Sequence, residues 1–124
     1  MGTFDNYDRM SDDLKKRVDE GLGCGSYVLS GWAKIINELN EDIAKIDPDY
    51  KVDQIKEKLG GLRYYVKLSE DLGQTARDTI YTLIREAEDE AYETCDVCGA
   101  LSKLATQSPG YIATRCEEHT EKEE

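Results

Sequence analysis

Four residues near the C-terminus combine type and spacing in a way that implies metal chemistry. Cys95-Asp96-Val97-Cys98-Gly99 sets two thiols two residues apart, the bite that a tetrahedral ion accepts, and Gly99 permits the backbone angles that follow the second ligand. After a gap of seventeen residues, Cys116-Glu117-Glu118-His119 repeats that spacing with one imidazole. Cys95, Cys98, Cys116 and His119 therefore predict one structural zinc ion with a closed coordination sphere and no position for water. Iron is the alternative, because soft ligands suit it as well. A redox Cys-X-X-Cys needs a βαβ setting that the upstream sequence lacks, and a disulfide needs an oxidising compartment.

No catalytic constellation survives that assignment. The chain has a single histidine, so Cys24, set between Gly23 and Gly25, lacks a basic partner and reads as an idle thiol. Asp12/Asp13, Asp47/Asp49 and Glu86 to Glu90 are carboxylate clusters that capped or solvated helix surfaces already explain. A metal-dependent hydrolase is disfavoured, and a non-enzyme is expected. The net charge of −11 gives an average field that repels nucleic acid, so any anion site must be a local patch. With 39% hydrophobic and 35% charged residues the chain should fold with an ionised surface. Neither a membrane-spanning run nor a secretory apolar segment is present in it, which predicts no membrane partner and a cytoplasmic location with reduced thiols.

These groups must be positioned by short elements. Ser11 is placed to cap a helix with Met10, Leu14 and Val18 on one stripe, and the glycines between 21 and 25 end it. Ser30 is placed to cap a second helix in which Trp32, Ile35, Ile36, Leu39, Ile43 and Ile46 repeat at helical spacing, with Trp32 as a core anchor. Asp47-Pro48 ends that helix. Extended runs over 50–59 and 62–68 flank Gly60-Gly61, the signal of a two-residue hairpin turn. A third helix over 75–94 carries a Thr75/Asp78 capping box, a buried stripe of Ala76, Ile80, Leu83, Ile84, Ala87 and Ala91, and acidic residues facing solvent. Two further strands, 101–106 and 111–115, are expected about a Gln-Ser-Pro-Gly turn between the cysteine pairs. The fold class is α+β, with three helices packed on a β-hairpin and a small zinc-ribbon-like module. The chain reads as one domain, 1–124, with a 11–94 core, a 95–119 zinc module and mobile ends at 1–10 and 120–124.

The joint order of these motifs resembles a known group. Gly31-Trp32, then Lys56-Glu57-Lys58-Leu59-Gly60-Gly61-Leu62-Arg63-Tyr64-Tyr65, then Cys95-Asp96-Val97-Cys98-Gly99 and Cys116-Glu117-Glu118-His119, is similar to small bacteriophage and prophage proteins. Those carry a Lys-Glu-Lys-Phe-Gly-Gly-Leu-Arg-Phe-Tyr signature and a C-terminal zinc knuckle pair. Leu59 stands here for the usual Phe and Tyr64 for the second aromatic. The likeness spans Gly31 to His119 and implies a phage setting, hence the host cell cytoplasm, without implying a mechanism.

The hairpin is the candidate contact surface. Residues 51–68 hold five basic and two acidic side chains, a local +3 that leaves −14 for the rest of the chain. With Gly60-Gly61 as the turn, Ile55, Leu59, Leu62, Tyr64 and Val66 share the inner face, while Gln54, Lys56, Lys58, Arg63, Tyr65 and Lys67 share the outer one. Lys58 would face Arg63, a like-charge pair of the kind that marks functional sites. Lys56, Lys58, Arg63, Tyr65 and Lys67 are the candidate binding residues, unless acidic side chains of this chain neutralise them. The expected partner is a host or defence protein. The alternatives are a nucleotide or nucleic acid on the basic face, with Tyr65 stacking on a base, and an acidic helical surface that mimics DNA.

Overall fold

The computed structural model describes residues 10–20, 30–108 and 111–116. In chain order these form α1 (Asp12–Glu20), a 3-10 turn (Ser30–Trp32), α2 (Ala33–Ile46), β1 (Lys51–Lys58), β2 (Gly61–Lys67), α3 (Gln74–Ala91), β3 (Lys103–Ser108) and β4 (Tyr111–Arg115). The fold is α+β: α1 packs on β1, α3 on β2 and α2 against α3, and β3–β4 form a second antiparallel pair beside the cysteines.

The apolar periodicity does most of what the sequence implies, with Ile46, Ala76 and Leu83 only partly buried. Met10, Leu14 and Val18 of the first stripe are buried, as are Ile35, Ile36, Leu39 and Ile43 of α2 and Ile80, Ile84, Ala87 and Ala91 of α3. Ser11 caps α1, its hydroxyl accepting the Leu14 N–H at 3.1 Å. The other two caps differ from expectation. Ser30 opens the 3-10 turn, so α2 starts at Ala33 with Trp32 at its cap position and no side-chain cap bond. The Thr75/Asp78 capping box does not form, because α3 begins a residue earlier at Gln74, whose amide donates to Asp78 instead. Arg77 steadies this end, its guanidinium donating to the carbonyls of Ser69 and Leu72.

The hairpin turn is also displaced. Leu59 and Gly60 form it, with φ of 54° and 83°, and Gly61 is already the first residue of β2, opposite Lys58. Two positive φ values match the right-handed twist of the strands. Gly61 is a glycine for a different reason: a Cβ there would collide with the Tyr92 ring. Moving the turn back by one residue slides each partner by two, which leaves every strand residue on its expected face. Leu59, placed on the inner face by the sequence, is instead the exposed tip at 66%. Lys56, rather than Lys58, stands opposite Arg63. An irregularity between Val52 and Gln54 leaves Asp53 as the extra residue and puts Val52 and Ile55 both in the core.

A polar network runs through the packed layers. The Tyr50 hydroxyl donates to Asn40 and meets the Tyr64 hydroxyl at 2.8 Å, Asn40 donates to Asp13, and Asp13 pairs with Arg17 at 2.8 Å. Arg17 then donates to the carbonyls of Pro48 and Tyr50 and lies over the Tyr50 ring. Burial pushes the Tyr50 hydroxyl well above its ordinary range. The Arg17 and Asn40 hydrogen bonds hold Asp13 below the usual carboxylate value. Asp47 ties the end of α2 to the chain after β2, accepting from the Ser69 N–H at 2.8 Å and the Ser69 hydroxyl at 2.6 Å.

Burial alone would raise the Asp47 carboxyl, but the Ser69 and Asp49 hydrogen bonds prevail and leave it below its ordinary 3.8. Its contribution to stability is therefore present above that value and lost as the pH falls through the lower folded value. Asp47→Asn should reduce stability at pH 7 by roughly 1.5–3 kcal/mol, the range for hydrogen bonds to a charged group. Urea titrations should show the difference from the parent shrinking at pH 3 and below.

Candidate metal centre

The turn that follows α3 builds the first cysteine pair. The chain leaves Ala91 through a tight bend, and Thr94 bridges to Leu101, closing a loop about residues 95–100. Within it the Cys95 N–H donates to the Ala100 carbonyl at 2.7 Å and the Gly99 N–H to the Cys95 carbonyl at 2.9 Å. Gly99 has φ of 87°, as the spacing implies. The β3–β4 pair then returns the chain so that Cys116, directly after β4, faces this loop. The sulfur atoms of Cys95, Cys98 and Cys116 all lie within 4.8 Å of one another, and those of Cys98 and Cys116 are 3.6 Å apart. Three thiols gathered in this way can hold a metal ion. His119, the expected fourth ligand, and Cys24 lie outside the described residues.

The surroundings favour thiolate at Cys95, which is fully buried. Burial would raise its thiol, but backbone N–H groups of Cys116, Cys98 and Val97 donate to the sulfur and bring it from 9.0 down to about 6. At Cys98 the Ala100 N–H acts downward, yet desolvation and then the hydrogen bonds with the Cys116 and Cys95 thiols leave that group above its ordinary value.

The loop is locked against the rest of the protein. Gly31 donates its N–H to the Asp96 carbonyl at 3.0 Å, and the Trp32 indole donates to the Thr94 carbonyl at 2.8 Å. Asp96, itself buried, receives Arg115 at 3.0 Å and donates its N–H to the Thr114 carbonyl. The Thr114 hydroxyl, fully buried, donates in turn to the Gly60 carbonyl in the hairpin turn at 2.8 Å. Gly31, Asp96, Thr114 and Arg115 thus position the cysteines, and sequence reasoning missed this role for all four. The adjacency of Asp96 and Arg115 to Cys95 and Cys116 is the only signal the sequence holds for their pairing.

The structure keeps Lys56, Lys58, Arg63, Tyr65 and Lys67 together on the outer hairpin face. Tyr65 is 43% exposed, with the Lys56 ammonium 5.9 Å from its ring centroid. Arg63 is drawn toward Tyr92, and the hydrogen bond its guanidinium donates to the Tyr92 hydroxyl, followed by the field of Glu88, holds that guanidinium charged. Glu88, expected in solvent, is instead half-buried and accepts the Tyr64 N–H at 3.1 Å. Among the described residues no ion pair engages Lys56, Lys58, Arg63 or Lys67. The carboxylates of the clusters at Asp13 and Asp47 are absorbed by hydrogen bonds. No helix among the described residues is long and apolar enough to cross a membrane. Comparison with protein families, curated proteins and solved structures finds no match to this chain.

A Cβ added to Gly31 would run into the backbone of Cys95, Asp96 and Gly99, whereas one on Gly73 meets nothing within 4 Å. Gly31→Ala should therefore destabilise the protein by roughly 1–3 kcal/mol or more, as overpacking does. Gly73→Ala, at the N-cap of α3, should cost no more than about 1 kcal/mol by the same denaturation assay.

Proposed function

We propose that this chain is a non-enzymatic binding protein of phage or prophage origin, stapled by one structural zinc ion. It acts in the host cytoplasm by engaging a host or defence protein through the outer face of the β1–β2 hairpin. The observation that carries the reading is the set of cations there, Lys56, Lys58, Arg63 and Lys67, without an ion pair among the described residues. Two apolar anchors stand with them, Leu59 at the tip and Tyr65 between the cations. Aromatic and arginine side chains ringed by polar neighbours are what interface hot spots use. The remaining −14 of charge disfavours a nucleic-acid backbone as the primary partner.

Support for zinc comes from the sulfur geometry. Tetrahedral Zn–S bonds of about 2.3 Å put sulfur atoms about 3.8 Å apart, and Cys98 and Cys116 are separated by 3.6 Å. The N–H groups aimed at the Cys95 sulfur suit a metal-bound thiolate, whose hydrogen-bonded surroundings orient it. Cys95, Cys98, Cys116 and His119 are the proposed ligands, in a closed site that offers no catalytic water. Metal analysis of reduced protein should find about one zinc per chain. Cys98→Ser should lose the metal together with much of the stability, because metal-binding free energy in such modules, on the order of 10 kcal/mol, is coupled to folding. Protein that folds fully without zinc or iron would overturn this part.

The exposed Tyr65 ring among cations also supports a second reading, a nucleotide or nucleic-acid binder, with stacking worth roughly 1–3 kcal/mol per base. The triple substitution Lys56→Ser, Lys58→Ser, Lys67→Ser tests both readings while leaving Arg63 against Tyr92. It should abolish capture of the partner from phage-infected cells with the fold and its metal intact. Oligonucleotide binding that falls steeply between low and moderate salt and vanishes in the same variant would establish the second reading instead. Capture undiminished by the substitution would remove the hairpin from both.

A further inference from the structure

On the helical side of the molecule, α2 and α3 leave a notch of about 130 Å³ between them. Its floor is aliphatic: Ile35 and Leu39 from α2, Leu83 and Ala87 from α3. Its rim is anionic, with Glu38 and Asp42 one turn apart on α2 and Glu86 and Glu90 one turn apart on α3. The two α2 carboxylates reach Lys34 at 4.0 Å and Lys45 at 3.9 Å, both through exposed side chains, and such pairs are weak. Glu86 and Glu90 have no ion pair among the described residues.

We propose that this notch is a second docking site, which takes a lysine or arginine side chain from a basic segment of a partner protein. The argument is one of complementarity in both charge and polarity. A long basic side chain has an aliphatic stem and a cationic head, and it lies favourably where apolar surface is bordered by carboxylates. A volume of about 130 Å³ suits one such side chain and is too small for a helix. The same rim repels nucleic acid and anionic lipid, which leaves a cationic protein segment as the occupant. Carboxylates from two separate helices, set on either side of the floor, give the head group partners whichever way it leaves the notch.

Stem length separates this proposal from simple attraction to an acidic surface. Hexalysine and hexa-diaminobutyrate carry matched charge, but the latter has side chains two methylenes shorter. Titrated into isotope-labelled full-length protein, hexalysine should bind at least threefold more tightly, with methyl shifts centred on Leu39, Leu83 and Ala87. Glu86→Gln with Glu90→Gln should weaken hexalysine binding at least fivefold, while Lys56→Ser, Lys58→Ser, Lys67→Ser should leave it intact, which keeps the result independent of the hairpin reading. Equal affinity for the two peptides, shifts scattered over all acidic surfaces, or the same shifts produced by Mg²⁺ would overturn the proposal. So would concentration-dependent self-association that hexalysine competes away, since the occupant would then be a second copy of this chain.

Discussion

The Cβ-less approach of Gly31 to the Cys95–Gly99 loop is the contact on which the rest of the structure turns. Any side chain at residue 31 would lift the cysteine loop off the entrance to α2. With glycine there, the backbone of the loop sits directly on the 3-10 turn, and the Gly31 N–H and the Trp32 indole each close a hydrogen bond to it. From this point the connections run in series. The loop holds β4 through Asp96 and Thr114, and Thr114 holds the hairpin turn through the Gly60 carbonyl. The cysteine module is thus continuous with the core, and Cys95 is as buried as Trp32. A metal ion bound by three thiols on two strands of the chain would therefore stabilise the hairpin tip as well as its own loop, because each link is a buried polar contact that is costly to leave unmade.

That coupling bears on how a small protein can present charged surfaces. The outer hairpin face and the α2/α3 notch carry opposite charge. Fixed packing matters here, since cations and carboxylates on loose elements would find one another instead of a partner. The Asp13–Asn40–Tyr50–Tyr64 network locks α1, α2 and the hairpin in one arrangement. Glu88 adds a further tie by accepting the Tyr64 N–H from α3.

Much of this was legible from side-chain periodicity and cysteine spacing. The buried stripes of all three helices, the core role of Trp32, the placement of Gly99 and the grouping of Cys95, Cys98 and Cys116 follow from local rules that operate within a few residues. What was not legible depends on contacts between distant parts of the chain. Gly60-Gly61 looks like a two-glycine turn, but only Gly60 serves the turn, and Gly61 serves Tyr92 some thirty residues away. Arg17 looks like a surface cation of α1, yet it is nearly buried against Pro48 and Tyr50. Ser30 has the chemistry of a helix cap, but docking of Gly31 on the cysteine loop takes precedence and turns the chain through a 3-10 turn first. His119 and Cys24 fall outside the described residues, so the fourth ligand rests on spacing.

The hairpin departs from local preference in two places at once. Leu59 is held at φ of 54°, a conformation that penalises a side chain, and its apolar group is turned to solvent at the tip. Lys56 stands directly opposite Arg63, where a pair of opposite charges would add stability. Neither departure helps the fold, and a relaxed hairpin would place asparagine at residue 59 and an acid at residue 56. The turn is nevertheless fixed from below by the Thr114 hydroxyl on the Gly60 carbonyl, from within by the Glu57 carboxylate on the Gly60 N–H, and from the side by Tyr92 against Gly61. Three supports therefore hold in place a two-residue turn that would be more stable with other residues. Locally unfavourable choices, held in place by surrounding structure, are where function is expected to reside.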